Sequence, residues 1–223
     1  MAWLEFAVAF AVFFLSHSLP VRPPLRPWLD DRLGRRGFAI AYSMLSLAVL
    51  AWLIATAGRA PHVPLWAWAP WQNWVVLGAM ASACLILAVS LGRPNPLSFG
   101  GAADAAFDPA RPGLLRWVRH PILLALALWS VAHLLANGDL AHVLLFGTFA
   151  VFAVAGRKLV DRRKRRDLGA RWEAITAAAR SGPVSLRDAM GGRSAALRLT
   201  AAALGFLGLL WLHPLLIGAR PLP

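Results

Sequence analysis

Long apolar runs alternate with short, arginine-rich polar connections along almost the whole chain. Six of these runs are long enough to cross or nearly cross a bilayer: Ala2–Leu19, Phe38–Ala57, Trp74–Leu91, Pro121–Ala136, Leu140–Val160 and Ala195–Ile217. About 20 helical residues span the hydrocarbon, which offers a bare backbone no hydrogen-bond partner, so each run is expected to be helical. The expected fold is all-α, a polytopic transmembrane bundle of about six spans forming one membrane domain over residues 1–223. A re-entrant hairpin replacing two spans is the one rival. The fourth run is the shortest, which sets its ends near the interfaces. Asn137-Gly138-Asp139 leaves room only for a tight turn, so the fourth and fifth helices should form an antiparallel hairpin.

Residues 161–194 break this pattern. Leu168, Trp172, Ile175 and Ala179 recur at helical spacing opposite a basic face, which predicts an amphipathic cytoplasmic segment lying along the inner leaflet. In the last run, Ala201 and Gly205 form a small-xxx-small pair, which marks close packing inside the bundle more often than a dimer face.

Orientation follows from charge. The first, third and fifth connections, the last counted to Arg198, carry 5, 4 and 12 Lys and Arg, and only Arg59 and Arg220 fall elsewhere. Positive charge is retained on the cytoplasmic side, so both termini are expected in the periplasm. The tryptophans agree, with Trp66, Trp68, Trp71 and Trp74 in an outer aromatic belt and Trp28 and Trp117 near an inner one. Asp161-Arg-Arg-Lys-Arg-Arg166 reads either as a docking site for anionic lipid or a partner, or as a topology anchor that explains the same charges. Ala2–Leu19 has no basic residue before it, and Arg22, Arg26, Arg32, Arg35 and Arg36 follow it. That order suits a retained first helix rather than a cleaved leader.

Composition narrows the class further. Hydrophobic residues make up 59% of the 223, more than a soluble domain of this size carries. The net charge of +13 does not mark a nucleic-acid-binding protein, because the basic residues sit between apolar runs instead of covering a polar surface. Membrane lipid is the expected partner. The single cysteine, Cys84, lies in an apolar run and supports neither a disulfide framework nor a cysteine zinc site.

The histidines then sort into two layers. His17 and His120 fall at the cytoplasmic ends of the first and fourth helices, and His62, His133, His142 and His213 on or near the periplasmic side. Ionisable groups bordering a span are costly enough to carry a functional hypothesis. In Arg119-His120-Pro121, proline sets the first helical turn and leaves free amides beside the imidazole. With the fixed charge of Arg119, that corner suits a haem propionate, a phosphate or a cofactor carboxylate; alternatively, His120 simply caps the helix. Ser16-His17-Ser18 places a polar triplet at similar depth, and Tyr42, Ser43 and Ser46 enter the second helix at that level. Two imidazoles from different helices form a suitable axial pair for a b-type haem, with the hydroxyls as supporting hydrogen-bond partners. His120 and His133 are about 20 Å apart along one helix and cannot share a ligand. His133 and His142, flanking the tight turn, would meet to bind a second metal or line a quinone or proton route, or else each bonds a loop carbonyl.

A set of ordered motifs resembles the NnrU family over nearly the whole chain: Phe14-Leu-Ser-His-Ser18 followed by Arg22, Tyr42-Ser43 with Ser46-Leu47, Arg93-Pro-Asn-Pro96 before Ser98-Phe-Gly100, Arg119-His-Pro121, and Trp129 with Ala132-His133-Leu134 and Asn137-Gly138. That family is associated with denitrification and nitric-oxide metabolism, and the similar plant 15-cis-zeta-carotene isomerases bind haem b. The resemblance therefore implies a multi-pass protein of the bacterial inner membrane. It implies haem b on His17 and His120, with Arg119, Tyr42 and Ser43 around it, a role in denitrification and nitric-oxide metabolism or in the cis-trans isomerisation of a zeta-carotene-type polyene, and a hydrophobic small-molecule substrate. Membrane methyltransferases of the isoprenylcysteine or phospholipid type are also similar around Arg-His-Pro. Their later Arg-Glu or Glu-Glu signature has only Arg171-Trp-Glu173 as a counterpart. A non-catalytic factor for respiratory-enzyme assembly or regulation is the third reading.

Overall fold

A computed structural model describes residues 1–99, 107–109 and 111–223. The motif residue Gly100 lies outside them. Among the described residues the regular structure is helical: α1 (Ala2–Ser18), α2 (Leu25–Arg59), α3 (Pro70–Ser90), α4 (Pro121–Ala136), α5 (Leu140–Leu168), α6 (Ala170–Ser181), the single turn α7 (Leu186–Ala189) and α8 (Ala195–Leu216), with 3-10 turns at Gly113–Arg116 and Gly192–Ser194. All six apolar runs become helices, and α4 has the expected bounds.

Four helical segments, α2, α3, α5 and the stretch Gly192–Leu216, are long and apolar enough to cross a membrane. The apolar α1 and α4 are shorter, with 17 and 16 residues. That is about 25 Å of helix, against a hydrocarbon thickness of about 30 Å. Leu4, Ile40, Met44, Val151, Leu204 and Trp211 are all more than half exposed. Apolar side chains in this number on helix surfaces suit lipid contact and not water.

The contacts sort the chain into two compact units. The first comprises Met1–Trp66 and Asp139–Leu145, and the second Ala67–Gly138 and Phe146–Pro223. In the first unit α1 and α2 run antiparallel. Glu5 pairs with Arg59 at one end of the hairpin, and the Tyr42 hydroxyl donates to the His17 carbonyl, 3.1 Å away, at the other. Phe6, Ala9 and Phe13 of α1 and Leu53 of α2 are buried. The α2 helix is interrupted at Gly34, whose φ of 68° is open to glycine but strained for other residues. Before that break, Arg26 and Asp30 pair across one turn, 2.8 Å apart.

In the second unit α4 and α5 form the expected hairpin. Trp129 meets Phe146 and Phe149 edge-on at 5.2 and 5.4 Å, and Leu123 lies against Gly156. Two residues before α4 begins, Arg119 reaches Asp161. The α5 helix continues past the apolar run to Leu168, which carries Asp161 within bonding range of Arg119 and His120.

The α6 helix carries the stripe expected from the sequence. Trp172 is only 2% exposed, and the Arg119 and Arg165 guanidinium groups lie 5.2 and 5.5 Å from its ring. Ala179 is buried as well, so this part of the stripe is covered by protein. Val184 and Leu186, 70% and 73% exposed, are the apolar side chains this stretch leaves open. The small-residue pair on α8 does not pack as expected: Ala201 and Gly205 are exposed, no atom lies near a side chain built at Gly205, and the buried residue of that helix is Ala202. Cys84 is half-buried, not fully enclosed.

Candidate functional site

The second unit gathers a polar network around the α4 N-terminus. The segment Asn95–Ser98 is buried, held by its own hydrogen bonds and by one to the next segment. The Asn95 side chain accepts from the Leu97 amide at 3.2 Å and donates to the Arg119 carbonyl at 3.0 Å. This sets Ser98 2.9 Å from His120 Nδ1. His120 precedes Pro121, whose ring fixes the first turn of α4, and its own φ and ψ of −119° and 74° are non-helical.

Both His120 nitrogens are engaged. Nε2 lies 2.9 Å from Asp161 Oδ1, and Arg119 donates to the other carboxylate oxygen at 2.8 Å. A carboxylate only accepts, so Nε2 carries the proton, and in the neutral ring Nδ1 accepts from the Ser98 hydroxyl. The side chain is 3% exposed, and burial pushes its pKa below the usual 6.5. The Asp161 hydrogen bond and charge oppose that shift, while Arg119 and Arg157 reinforce it. The result is a directed chain, from Ser98 through neutral His120 to an Asp161 carboxylate neutralised by Arg119.

In the first unit His17 is arranged differently. Its ring stacks on Phe13 at 4.0 Å, and Nδ1 lies 2.8 Å from the Phe13 carbonyl, to which it donates. That bond leaves Nε2 as the basic nitrogen, and no described residue bonds to it. Tyr42 sits edge-on to the same ring at 5.9 Å. Ser43 is exposed on α2. Thus His17, Tyr42 and Ser43 belong to the first unit, and Arg119 and His120 to the second.

The outer histidines are held locally. His133 Nδ1 donates to the Trp129 carbonyl at 2.8 Å, His142 pairs with Asp139, and His213 bonds the Ala219 carbonyl at 2.8 Å. Among the described residues no group of three or more His, Cys, Asp or Glu side chains gathers as a metal site would.

Sequence reasoning missed Ser98 and Asp161 as site residues. Ser98 appeared only within a family motif. Asp161 was hidden at the head of a basic run, where its sign was the one available signal.

A sequence model of the family described as NnrU protein matches residues 5–221. No curated protein and no solved structure matches the chain.

Proposed function

The chain belongs to the NnrU family, and from that premise we propose a bacterial inner-membrane protein of six spans, with both termini in the periplasm, that holds a b-type haem through His17 and serves nitric-oxide metabolism. The distribution of Lys and Arg supports the orientation. The family resemblance supports the metabolic setting.

The observation that carries the haem reading is the His17 geometry. Donation from Nδ1 to the Phe13 carbonyl fixes the ring and its tautomer and leaves Nε2 as the nitrogen available to a metal, the arrangement by which proteins orient histidine ligands. Tyr42 steadies the same turn through the His17 carbonyl. His120 does not fit a second axial position, because Ser98 and Asp161 occupy both of its nitrogens. Arg119 is likewise committed to Asp161 and Trp172 rather than open to a propionate. The residues therefore favour one histidine ligand, not two. When bound, such a haem supplies a redox-active iron suited to small diatomic ligands. An uncharged gas or apolar substrate reaches this hairpin from lipid, against which its apolar surface lies.

The test is the absorption spectrum of detergent-purified protein from cells given ample haem precursor, oxidised and dithionite-reduced. A Soret band lost in His17→Ala and kept in His120→Ala is expected. A featureless spectrum from folded protein would overturn the haem reading; binding of a methyl donor in its place would favour the methyltransferase class.

A further inference from the structure

A cavity of about 200 Å³ lies beside the α4 N-terminus in the second unit. Its lining combines the polar Ser90, Arg93, Asn95 and Arg111 with apolar side chains, Val89 and Val118 among them. We propose that this cavity binds the phosphate group of an anionic amphiphile. The inference stands apart from the haem reading, since none of its residues belongs to the first unit.

The charge balance leads there. Arg93 donates to the Ala189 carbonyl at 3.1 Å and the Val89 carbonyl at 3.4 Å, and no described carboxylate lies within ion-pairing distance of it. Arg198 bonds the Ala88 and Leu91 carbonyls at the same end of α3, which sets two guanidinium groups on one helix terminus. Burial lowers the pKa of Arg93, the charge of Arg198 adds to that shift, and Asp188 only partly offsets it. A bound anion relieves this repulsion. Gly113, at φ 58°, admits the Arg93 guanidinium: a Cβ there would lie 2.5 Å from Nη2. Arg111 adds a second fork suited to phosphate oxygens, and Pro121 brings the positive end of α4 to the wall. Asp108 also lines the cavity and opposes an anion, so its removal gives a test of opposite sign.

The amphiphile follows from the surroundings. Much of the lining is apolar, and Trp117, Val184 and Leu186, 52%, 70% and 73% exposed, flank this region on the segments around the 3-10 turn and α7. Tryptophan beside open aliphatic side chains is the composition of a headgroup-level surface. A phosphate in the cavity would have its acyl chains beside this surface.

The experiment titrates full-length protein in detergent with dioleoylphosphatidylglycerol or dioleoylphosphatidylcholine and reads the thermal midpoint. Phosphatidylglycerol should stabilise more strongly. Arg111→Gln, at an exposed position that should not disturb folding, should weaken its apparent affinity about tenfold, and Asp108→Asn should strengthen it. Inorganic phosphate that competes at millimolar concentration marks the phosphate alone as sufficient, and failure to compete marks the lipid headgroup with its chains. Equal responses to the two lipids would overturn the proposal. So would an equal loss in Arg163→Gln, outside the cavity, because that would show diffuse attraction to a basic surface.

Discussion

His120 and Asp161 stand 2.9 Å apart across the α4–α5 hairpin, and this contact joins the two features of the sequence that looked least alike, a histidine before proline and an acid at the head of a basic run. Asp161 serves two partners at once, His120 through Oδ1 and Arg119 through Oδ2. It thereby ties the start of α4 to the α5 residue that directly follows the apolar run. Arg119 in turn covers Trp172, which docks α6. A change at Asp161 should therefore loosen more than one element.

Asp161→Ala leaves the buried His120 without an acceptor and Arg119 without its counter-ion. The expected cost is about 1–3 kcal/mol, the range for stranding a buried polar partner. Asp161→Asn keeps an acceptor for Nε2 and should cost less. Thermal unfolding of the two variants in one detergent checks the order, and equal stability of both with the parent would show that the pairing contributes nothing.

The burial of His120 sets a pH dependence, which the pairing only moderates. Burial lowers the folded-state pKa of His120, with Asp161 opposing and Arg119 and Arg157 reinforcing the shift. The unfolded chain therefore takes up a proton at a higher pH than the folded one. The stability involved is fully present above the unfolded value of 6.5 and is lost as pH falls from there through the folded pKa. His120→Gln removes this contribution, so its midpoint should fall less than that of the parent between pH 8 and pH 5. Parallel curves for the two proteins would contradict the assignment of a neutral buried imidazole.

Much of this was legible in the sequence. Hydrophobic run length located every membrane-length helix, and Pro121 fixed the start of α4 to the residue. The polar helical extensions were not legible. The α2 segment before Gly34 and the α5 segment after Val160 continue their helices though charged, and a hydrophobicity criterion ends the span before them. That lapse hid Asp161 as a partner. The His17 and Tyr42 neighbourhood was legible, because both belong to one hairpin of sequence-adjacent helices. The commitment of both His120 nitrogens was not, because Ser98 and Asp161 come from segments 22 and 41 residues away.

Trp172 gives a third prediction. Trp172→Ala removes the largest fully buried side chain among the described residues, from beneath two guanidinium groups, and should cost about 3–5 kcal/mol by the cavity it leaves. The loss should be local first, since α6 is a short helix at the end of α5. Limited trypsin digestion should then cut between Arg162 and Arg180 much faster than in the parent, while the apolar helices stay intact. Unchanged cleavage would mean that α6 is held by something other than this tryptophan.

The fourth prediction concerns α4, whose 16 residues are few for a full span. The count of crossings decides the side on which each connection lies. If α3, α4 and α5 all cross, residues 62 and 181 are on opposite faces, and with α8 crossing as well, residues 62 and 219 share a face. In a Cys84→Ala background, His62→Cys and Ala219→Cys should react with an impermeant maleimide in intact spheroplasts, and Ser181→Cys only after lysis. An α4 that enters and leaves by the same face would place residues 62 and 181 together and 219 opposite, so the labelling pattern separates the two arrangements without reference to the histidines. Since Arg119, His120 and Asp161 cluster at the α4 start, the same result tells which face of the membrane their network adjoins, and the positions of Lys and Arg favour the cytoplasmic one.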